Sequence, residues 1–362
     1  MKNSFGNSIT VTLFGESHGA AIGAVVDGLA PGIKINDKYI AARLAERRPS
    51  GKISTARVEA DEYEILSGVF GGYTTGTPLT LIIRNNNTKS ADYASLRDVP
   101  RPSHADYTAE VKYGGYQDYR GGGHFSGRIT AALVAVGAII RSALEAKGIY
   151  IGTHIASIKG IKDRAFEDYR ADIESLKDGH FPTLSTESSE AMYSLILDAA
   201  SRGDSVGGVL ESAVIGLPAG VGEPWFDSLE GTLSHILFSV PAVKGVEFGL
   251  GFGFGDAYGS EVNDPFTTDG GAISTSTNNN GGINGGISNG MPITFRTAIK
   301  PTPSIYTEQA SVSLSKMENT TLKIAGRHDP TIVHRARAVI DAVTAIAIAD
   351  ALAVKYGTDW LR

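Results

Sequence analysis

SGRITAALVAVGAIIRSALEAK, residues 126–147, is the stretch that decides the fold. It is apolar around nearly its whole circumference and built from small residues, so a helix formed from it must lie buried. Gly148 stops it, because glycine readily takes the conformation that ends a helix. A second stretch of the same character, TIVHRARAVIDAVTAIAIADALAVK (331–355), asks for a second buried helix. Each begins directly after a polar turn, HFS in one case and RHDP in the other. That suggests a weak internal duplication, although two Ala-rich helices can also resemble each other by composition alone. Two central helices starting at one site would aim their positive dipole ends at an anion.

Outward from these helices, SITVTLF (8–14) alternates polar and apolar residues and reads as a strand running into GESHG (15–19). Asn36 reads as an N-cap, with Ile40 and Leu44 on one face of a helix that ends near Pro49. Strands are expected at 57–70, 78–84, 150–158, 206–215 and 291–300, and a helix at 225–240. The stretch 85–125 shows little periodicity and reads as a long functional loop. The stretch 249–290 is dense in Gly and Asn: either a linker or a glycine loop that lets backbone approach a flat ligand closely.

The 362 residues include 42% hydrophobic ones, enough for a sizeable core, and no Cys, which excludes disulfides and thiolate chemistry. The opening MKNSFGNSITVTLF lacks the apolar core of a signal peptide, and no window approaches a membrane span, so a soluble cytoplasmic protein is expected. A net charge of −6 argues against nucleic acid as a partner. Against that acidic background the cations gather in short turns: GESHG, AERRPSGK (45–52), RPSHADYT (101–108), YRGGGHFSGR (119–128) and GRHDP (326–330). Such clustering suits a pocket for a small polyanion, since the Arg fork matches phosphate and carboxylate oxygens.

Taken singly, these motifs are ambiguous. His18 in GESHG can be an acid beside a phosphate held by Ser17, or part of an ordinary polar turn. His104 in RPSHADYT can be a catalyst or turn filler beside Arg101. GGGHFSGR places glycines before a helix whose free amides could face an anion, but it matches neither the P-loop nor the Rossmann pattern. In GRHDP, Pro330 suits the first turn of a helix, and Asp329 can serve as a base or merely cap that helix. A metal site built from His18, His104, His124 and Asp329 lacks supporting spacing, and no metal is expected. As a set, the residues point to elimination or transfer on a phosphorylated carboxylate, and residue chemistry alone stops there.

GESHG, RRPSGK, TTGTPLTLIIRN, RPSHADYT, GGGHFSGR, VKGVEFG, GGINGGISNG, KPTPSI and GRHDP occur here in order. In that order and approximate spacing, from about residue 8 to 353, the chain resembles the chorismate synthase family. The resemblance implies an α+β fold in one domain (1–362), a β-α-β sandwich whose helical core lies between antiparallel four-stranded sheets, assembled as a homotetramer. It implies a lyase of the shikimate pathway of aromatic amino-acid biosynthesis. Such an enzyme eliminates phosphate and the C6 proton from 5-enolpyruvylshikimate-3-phosphate in the trans-1,4 sense, giving chorismate. The implied cofactor is reduced FMN, with no net redox change. The chain carries no appended reductase, so a separate flavin reductase is the implied partner.

The resemblance also assigns residues. His18 would protonate the departing phosphate, His104 the reduced flavin, and Asp329 would relay the C6 proton by way of the flavin N5. Substrate anions would meet Ser17, Arg47, Arg48, Arg57, Arg101, Ser126, Arg128 and Arg327. The flavin would contact His124, Phe125, Ser126, Pro241, Ala242, Gly285, Lys300, Pro301, Thr302, Pro303, Ser304 and Arg327. Arg47 and Lys52 would form an NADP-type anion site. Four positions, in three places, depart from the family pattern. His124 and Phe125 replace Arg and Ser, Pro241 replaces an amide residue, and Lys52 replaces Arg. Phe125 can pack on a flavin but cannot donate a hydrogen bond.

Overall fold

The computed structural model describes residues 2–49, 51–54, 61–86, 97–324 and 328–362. Two antiparallel sheets enclose a layer of helices. The first contains β1 (Thr10–Gly15), β2 (Ala21–Asp27), β3 (Tyr63–Ser67) and β4 (Leu79–Arg84) in the order β1-β2-β4-β3, with the strand Ser4–Phe5 outside β1. The second contains β5 (Tyr150–Ile158), β6 (Gly208–Ile215), β7 (Val243–Phe248) and β8 (Ile293–Ile299) in the order β7-β8-β6-β5, with Ile161–Lys162 outside β5. Each sheet is therefore the expected four strands plus a two-residue fifth at one edge. Alternation sets the faces: in ITFRTAI of β8, Ile293, Phe295, Thr297 and Ile299 are buried and the residues between them only half so.

The helices are α1 (Asp37–Arg47), α2 (Asp106–Tyr113), α3 (Thr130–Ala146), α4 (Tyr169–Ser175), α5 (Thr186–Ser201), α6 (Leu229–Ser239), the single turn α7 (Gly259–Val262) and α8 (Val333–Tyr356). α3 packs on β2 and β4, α8 packs on β5 and β6, and the two meet at the centre with α1 against both. A Cβ on Gly137 would fall 2.6 Å from the Cα of Ala342, so α3 and α8 touch backbone to backbone. Any larger residue at 137 would force them apart. By length and hydropathy, Gly127–Ala146 could cross a membrane, but 83% of it is buried inside the protein, as a core helix must be.

α3 and α8 run parallel. Arg47, at the end of α1, donates to Thr130 at the start of α3, and its neighbour Glu46 pairs with Arg337 near the start of α8 at 3.1 Å. At the far end the Asp350 carboxylate of α8 accepts from the backbone N–H groups of Asn7, Ser8 and Ile9, just before β1. Midway, Arg141 of α3 donates to Asp341 of α8 at 2.9 Å, and Asp341 also accepts from Thr153 of β5 at 2.6 Å. That pair is buried, so removing one partner would cost about 3–5 kcal/mol.

Several expectations need adjustment. Asn36 caps α1 through Tyr39 N at 3.1 Å, and Ile40 and Leu44 are buried, as read from the sequence. Of the strand expected at 57–70, residues 57–60 lie outside the described residues; the remainder gives β3 and the short strand Val69–Phe70. The loop read at 85–125 contains α2, which buries only Ala109 and so leaves no apolar stripe to read. α8 begins at Val333, not at Pro330, and the hydroxyl of Thr331 accepts from its first N–H at 3.4 Å. The Gly/Asn segment 249–290 is not a linker: Asp264 accepts from Asn279 N and Asn280 N at 2.7 and 2.8 Å and folds it into two small hairpins.

Candidate active site

Gly121, Gly122 and Gly123 all have positive φ (58°, 82° and 53°), a run that side-chain-bearing residues resist. The turn they make brings two histidines onto the backbone. A Cβ on Gly121 would lie 2.2 Å from Cε1 of His18, and one on Gly122 would lie 3.3 Å from Cε1 of His104. His18 and His104, far apart in sequence, thus rest on successive residues of one turn. Ser17 Oγ lies 3.1 and 3.0 Å from the carbonyls of Arg120 and Gly121 and 3.1 Å from His18 Nδ1, so it fixes His18 to that turn. His124 Nδ1 bonds Gly15 O at 2.7 Å, joining the turn to the end of β1.

Immediately after the turn, Ser126 accepts from Arg128 N at 3.3 Å and starts the helical run that becomes α3. Asp61, which no motif in the sequence singles out, also belongs here. Its buried carboxylate takes Arg47 at 3.1 Å, Arg128 through an ion pair, and Arg48 at 3.9 Å. Arg128 also donates to Asn85 Oδ1 at 3.1 Å. Arg47 is buried and also donates to Thr130 Oγ1 and Gly127 O, both at 3.0 Å, so it braces the start of α3. Lys52 lies exposed in a separate turn. Arg47 is thus turned inward and Lys52 outward.

His104 is held from its other side. Its Nδ1 lies 2.6 Å from Asp106 Oδ1, and Arg101 grips the same carboxylate through Nε and Nη2, both at 2.8 Å. Burial would raise the Asp106 carboxyl, but the bonds from Arg101 and His104 outweigh it and hold it well below the usual range. Arg101 Nη1 reaches Ser304 Oγ at 3.4 Å, and Lys300 Nζ donates to Ser103 O. These contacts lay the His104 loop across residues 300–304. Ser304, Tyr306, His328 and Asp329 in turn line a small open pocket. Asp329 pairs with Arg335 in α8, so it does not cap that helix.

The proposed flavin contacts divide. Ala242, with φ at 76°, accepts from Lys300 N at 2.9 Å, which brings Pro241, Ala242 and the 300–304 turn together. Phe125 stands partly exposed beside Tyr113, ring centroids 6.1 Å apart, in a shallow cleft shared with His104 and Gly122. Thr302 Oγ1 is buried without a hydrogen-bond partner, while Pro301 is exposed and Pro303 O accepts from Gln309. Burial, and then Lys244, holds Lys300 below the ordinary lysine range. Gly285 is the exception. It sits in a hairpin beside Glu223, Ser228 and Pro218, past the end of β6 remote from Gly208, and is not brought to the others within this chain. Arg57 and Arg327 lie outside the described residues. Among the described residues, no cluster of three or more His, Asp or Glu could hold a metal ion.

Fold and site together place paired histidines on a glycine turn, an arginine cluster compensated by Asp61, and the Asp329 carboxylate just before a second helix, within two sheets that enclose a helical layer. A family model described as chorismate synthase matches residues 9–353. The chorismate synthase of Dehalococcoides mccartyi is 48% identical over 99% of this chain and 98% of its own length. That of Thermococcus gammatolerans is 45% identical over 96% of both chains. A crystal structure of a chorismate synthase superposes with a TM-score of 0.77 at 31% identity, covering 98% of this chain and 94% of that one. The chain belongs to the chorismate synthase family, and its activity is that of a carbon–oxygen lyase of the shikimate pathway.

Proposed function

We propose that this site binds 5-enolpyruvylshikimate-3-phosphate together with reduced FMN and eliminates phosphate in the trans-1,4 sense to give chorismate. The observation that carries the reading is the glycine turn, which sets His18 and His104 on neighbouring residues next to three guanidiniums. A phosphate leaving group needs cations and an acid, and C–H removal needs a base. Arg48 and Arg128 hold the substrate's anions, with Arg47 bracing Arg128 through Asp61. His18, fixed by Ser17, gives its proton to the phosphate oxygen as the C3–O bond breaks with its electron pair. Asp329 takes the proton lost from C6.

The residues fit a flavin. Buried Thr302 Oγ1 lacks a partner and can meet a polar edge, Phe125 can cover an apolar ring, and the turn at Ala242 exposes backbone. Reduced FMN, when bound, supplies a transient electron to the departing C–O bond and has it back at the end of the cycle. His104 holds a proton for the flavin's pyrimidine end. A separate reductase supplies the reduced flavin, and the enzyme works in the cytoplasm. Assembly into a homotetramer is supported by the exposure of Trp225, Phe226 and Phe252, each more than four-fifths accessible in the single chain.

One anaerobic assay tests the reading. The chain, reduced FMN and enolpyruvylshikimate phosphate are mixed, and chorismate and phosphate are both measured. Equal amounts of each, and none without reduced flavin, are expected. Phosphate without chorismate would sink it.

A further inference from the structure

The outer face of the second sheet hides a charge. In β5, Thr153 points inward to Asp341 of α8, so its neighbours Gly152 and His154 point to the opposite face. His154 is nevertheless fully buried, because the segment 163–185, with α4 in its middle, lies over it. A Cβ on Gly152 would fall 2.7 Å from Ile173 of α4, and the Phe166 ring stands at 81° to that of His154 with centroids 4.8 Å apart. Both ring nitrogens of His154 end on carboxylates, Nδ1 on Asp163 Oδ2 at 3.1 Å and Nε2 on Glu211 Oε2 at 2.9 Å. An ionised carboxylate only accepts, so both nitrogens donate and the ring is an imidazolium.

Asp163 is ionised. Burial would raise its carboxyl, but the bonds from His154 and from Leu184 N outweigh it and hold it below the usual range. It accepts from Leu184 N at 2.5 Å and from Ser185 N at 3.0 Å. Glu211 stands directly opposite His154 on one side and Arg296 of β8 on the other, and Arg296 pairs with Glu247 of β7 at 3.0 Å. The row Asp163, His154, Glu211, Arg296, Glu247 thus alternates in sign across the sheet. Of these five, only the ring changes charge near neutral pH. From α4, Tyr169 and Asp172 also face this corner, and Asp172 is occupied by Arg164 at 3.0 Å. Asp163 therefore ties together both legs of the segment, 163–167 and 182–185, while Arg337 holds its middle at Leu176 O and Gly179 O.

We infer that His154 is a pin for these two legs: charged, it keeps them closed over the second sheet, and on losing a proton to water it lets them open locally with the rest of the fold intact. A neutral ring has one hydrogen for two acceptors, so one carboxylate is left facing a lone pair. Burial opposes the charge on the ring, but Asp163 and Glu211 outweigh it and raise its affinity for the proton. The pin is therefore complete below pH ~6.5, where an exposed histidine also holds its proton, and is lost as pH rises through the raised value. Between those two points each opening releases one proton, so opening becomes about tenfold easier per pH unit.

Hydrogen exchange of the full-length chain tests this, with rates expressed as protection relative to free peptide so that the ordinary effect of pH cancels. The amides of Leu184, Ser185 and Ile155, the last bonded to Pro182 O at 2.7 Å, are expected to lose protection about tenfold per pH unit above pH ~6.5. Local opening exposes little surface, so exchange at these amides is expected to ignore dilute urea, whereas exchange in α3 and α8 needs global unfolding and speeds up with urea. His154→Gln has a donor at one end only, so protection of the legs is expected to be about tenfold lower already at pH ~6 and then flat with pH. Asp163→Asn is expected to lower the ring's titration, followed by NMR, by about one pH unit, so that the slope ends earlier. A flat wild-type profile overturns the inference. So does a urea dependence in the legs equal to that of α3 and α8, or the wild-type slope persisting in His154→Gln. The wild-type comparison of legs with core needs no variant, so a substitution that fails to fold leaves the test standing.

Discussion

α3 and α8 are parallel, adjacent and nearly equally apolar, yet their starts are furnished in opposite ways. Around the start of α3 the protein adds positive charge to the helix dipole: Arg47, Arg48 and Arg128 gather there, tempered by one buried carboxylate, Asp61. At the start of α8 the carboxylate of Asp329 offsets the dipole, and the first-turn histidine, His334, is kept uncharged. The same structural device therefore serves two chemistries. In the function proposed above, one start would receive an anion and the other a proton.

The contrast can be broken most severely at Gly121. Gly121→Ala puts a methyl into the His18 ring and strains a residue with φ at 58°, so kcat/KM should fall about 10³-fold while the fold persists. Steady-state kinetics beside a thermal melt checks this; a loss under tenfold would mean His18 need not rest on the turn. Next, Asp329→Asn should cut turnover about 10²-fold with flavin affinity nearly intact, read by fluorescence titration with FMN. Unchanged turnover removes Asp329 from proton transfer. Gly122→Ala displaces His104 only by a few tenths of an ångström, and a roughly tenfold loss is expected.

Two buried histidines sharpen the contrast through pH. His334 is pushed down to about 3 by burial, then by Arg335 and His180. Its neutral form is the folded form, so the stability it contributes is complete above pH ~6.5 and is lost as pH falls toward 3. His154 is the reverse case. Burial opposes its charge, but bonds to Asp163 at 3.1 Å and Glu211 at 2.9 Å outweigh this and raise it. Its contribution is complete below pH ~6.5 and is lost as pH rises through the raised value. Urea midpoints at pH 5, 7 and 9 should drop less at pH 5 for His334→Gln than for wild type, and less at pH 9 for His154→Gln. The smallest effect is expected from Gly127→Ala. Nothing stands within 4 Å of the new methyl, so activity should stay within about twofold of wild type.

The two helices were legible because burial on all sides leaves an unbroken apolar run, and the strands because one-sided burial leaves alternation. α2 was not, since a helix that buries one alanine has no stripe. The site was legible where chemistry repeats along the chain: GESHG, RPSHADYT and GGGHFSGR each supply a residue to the glycine turn. Asp61 was hidden because its partners come from α1 and from the start of α3, and no spacing in sequence encodes that meeting. Asp106 left a faint sign, two residues after His104, though a helix-starting aspartate reads the same way. Gly285 stands apart because a motif's position in a linear pattern says nothing about which end of a sheet it occupies.

The Asp350 clamp on Asn7, Ser8 and Ile9 sets an order of events during synthesis. Some 340 residues separate the partners, so β1 emerges from the ribosome long before the carboxylate that anchors its approach. The first sheet can pair its strands early, but its outer edge stays unfastened until the last helix is made. A nascent chain stalled before residue 350 should therefore present that edge to chaperones and proteases, and protection should arrive in a single step once α8 has been made.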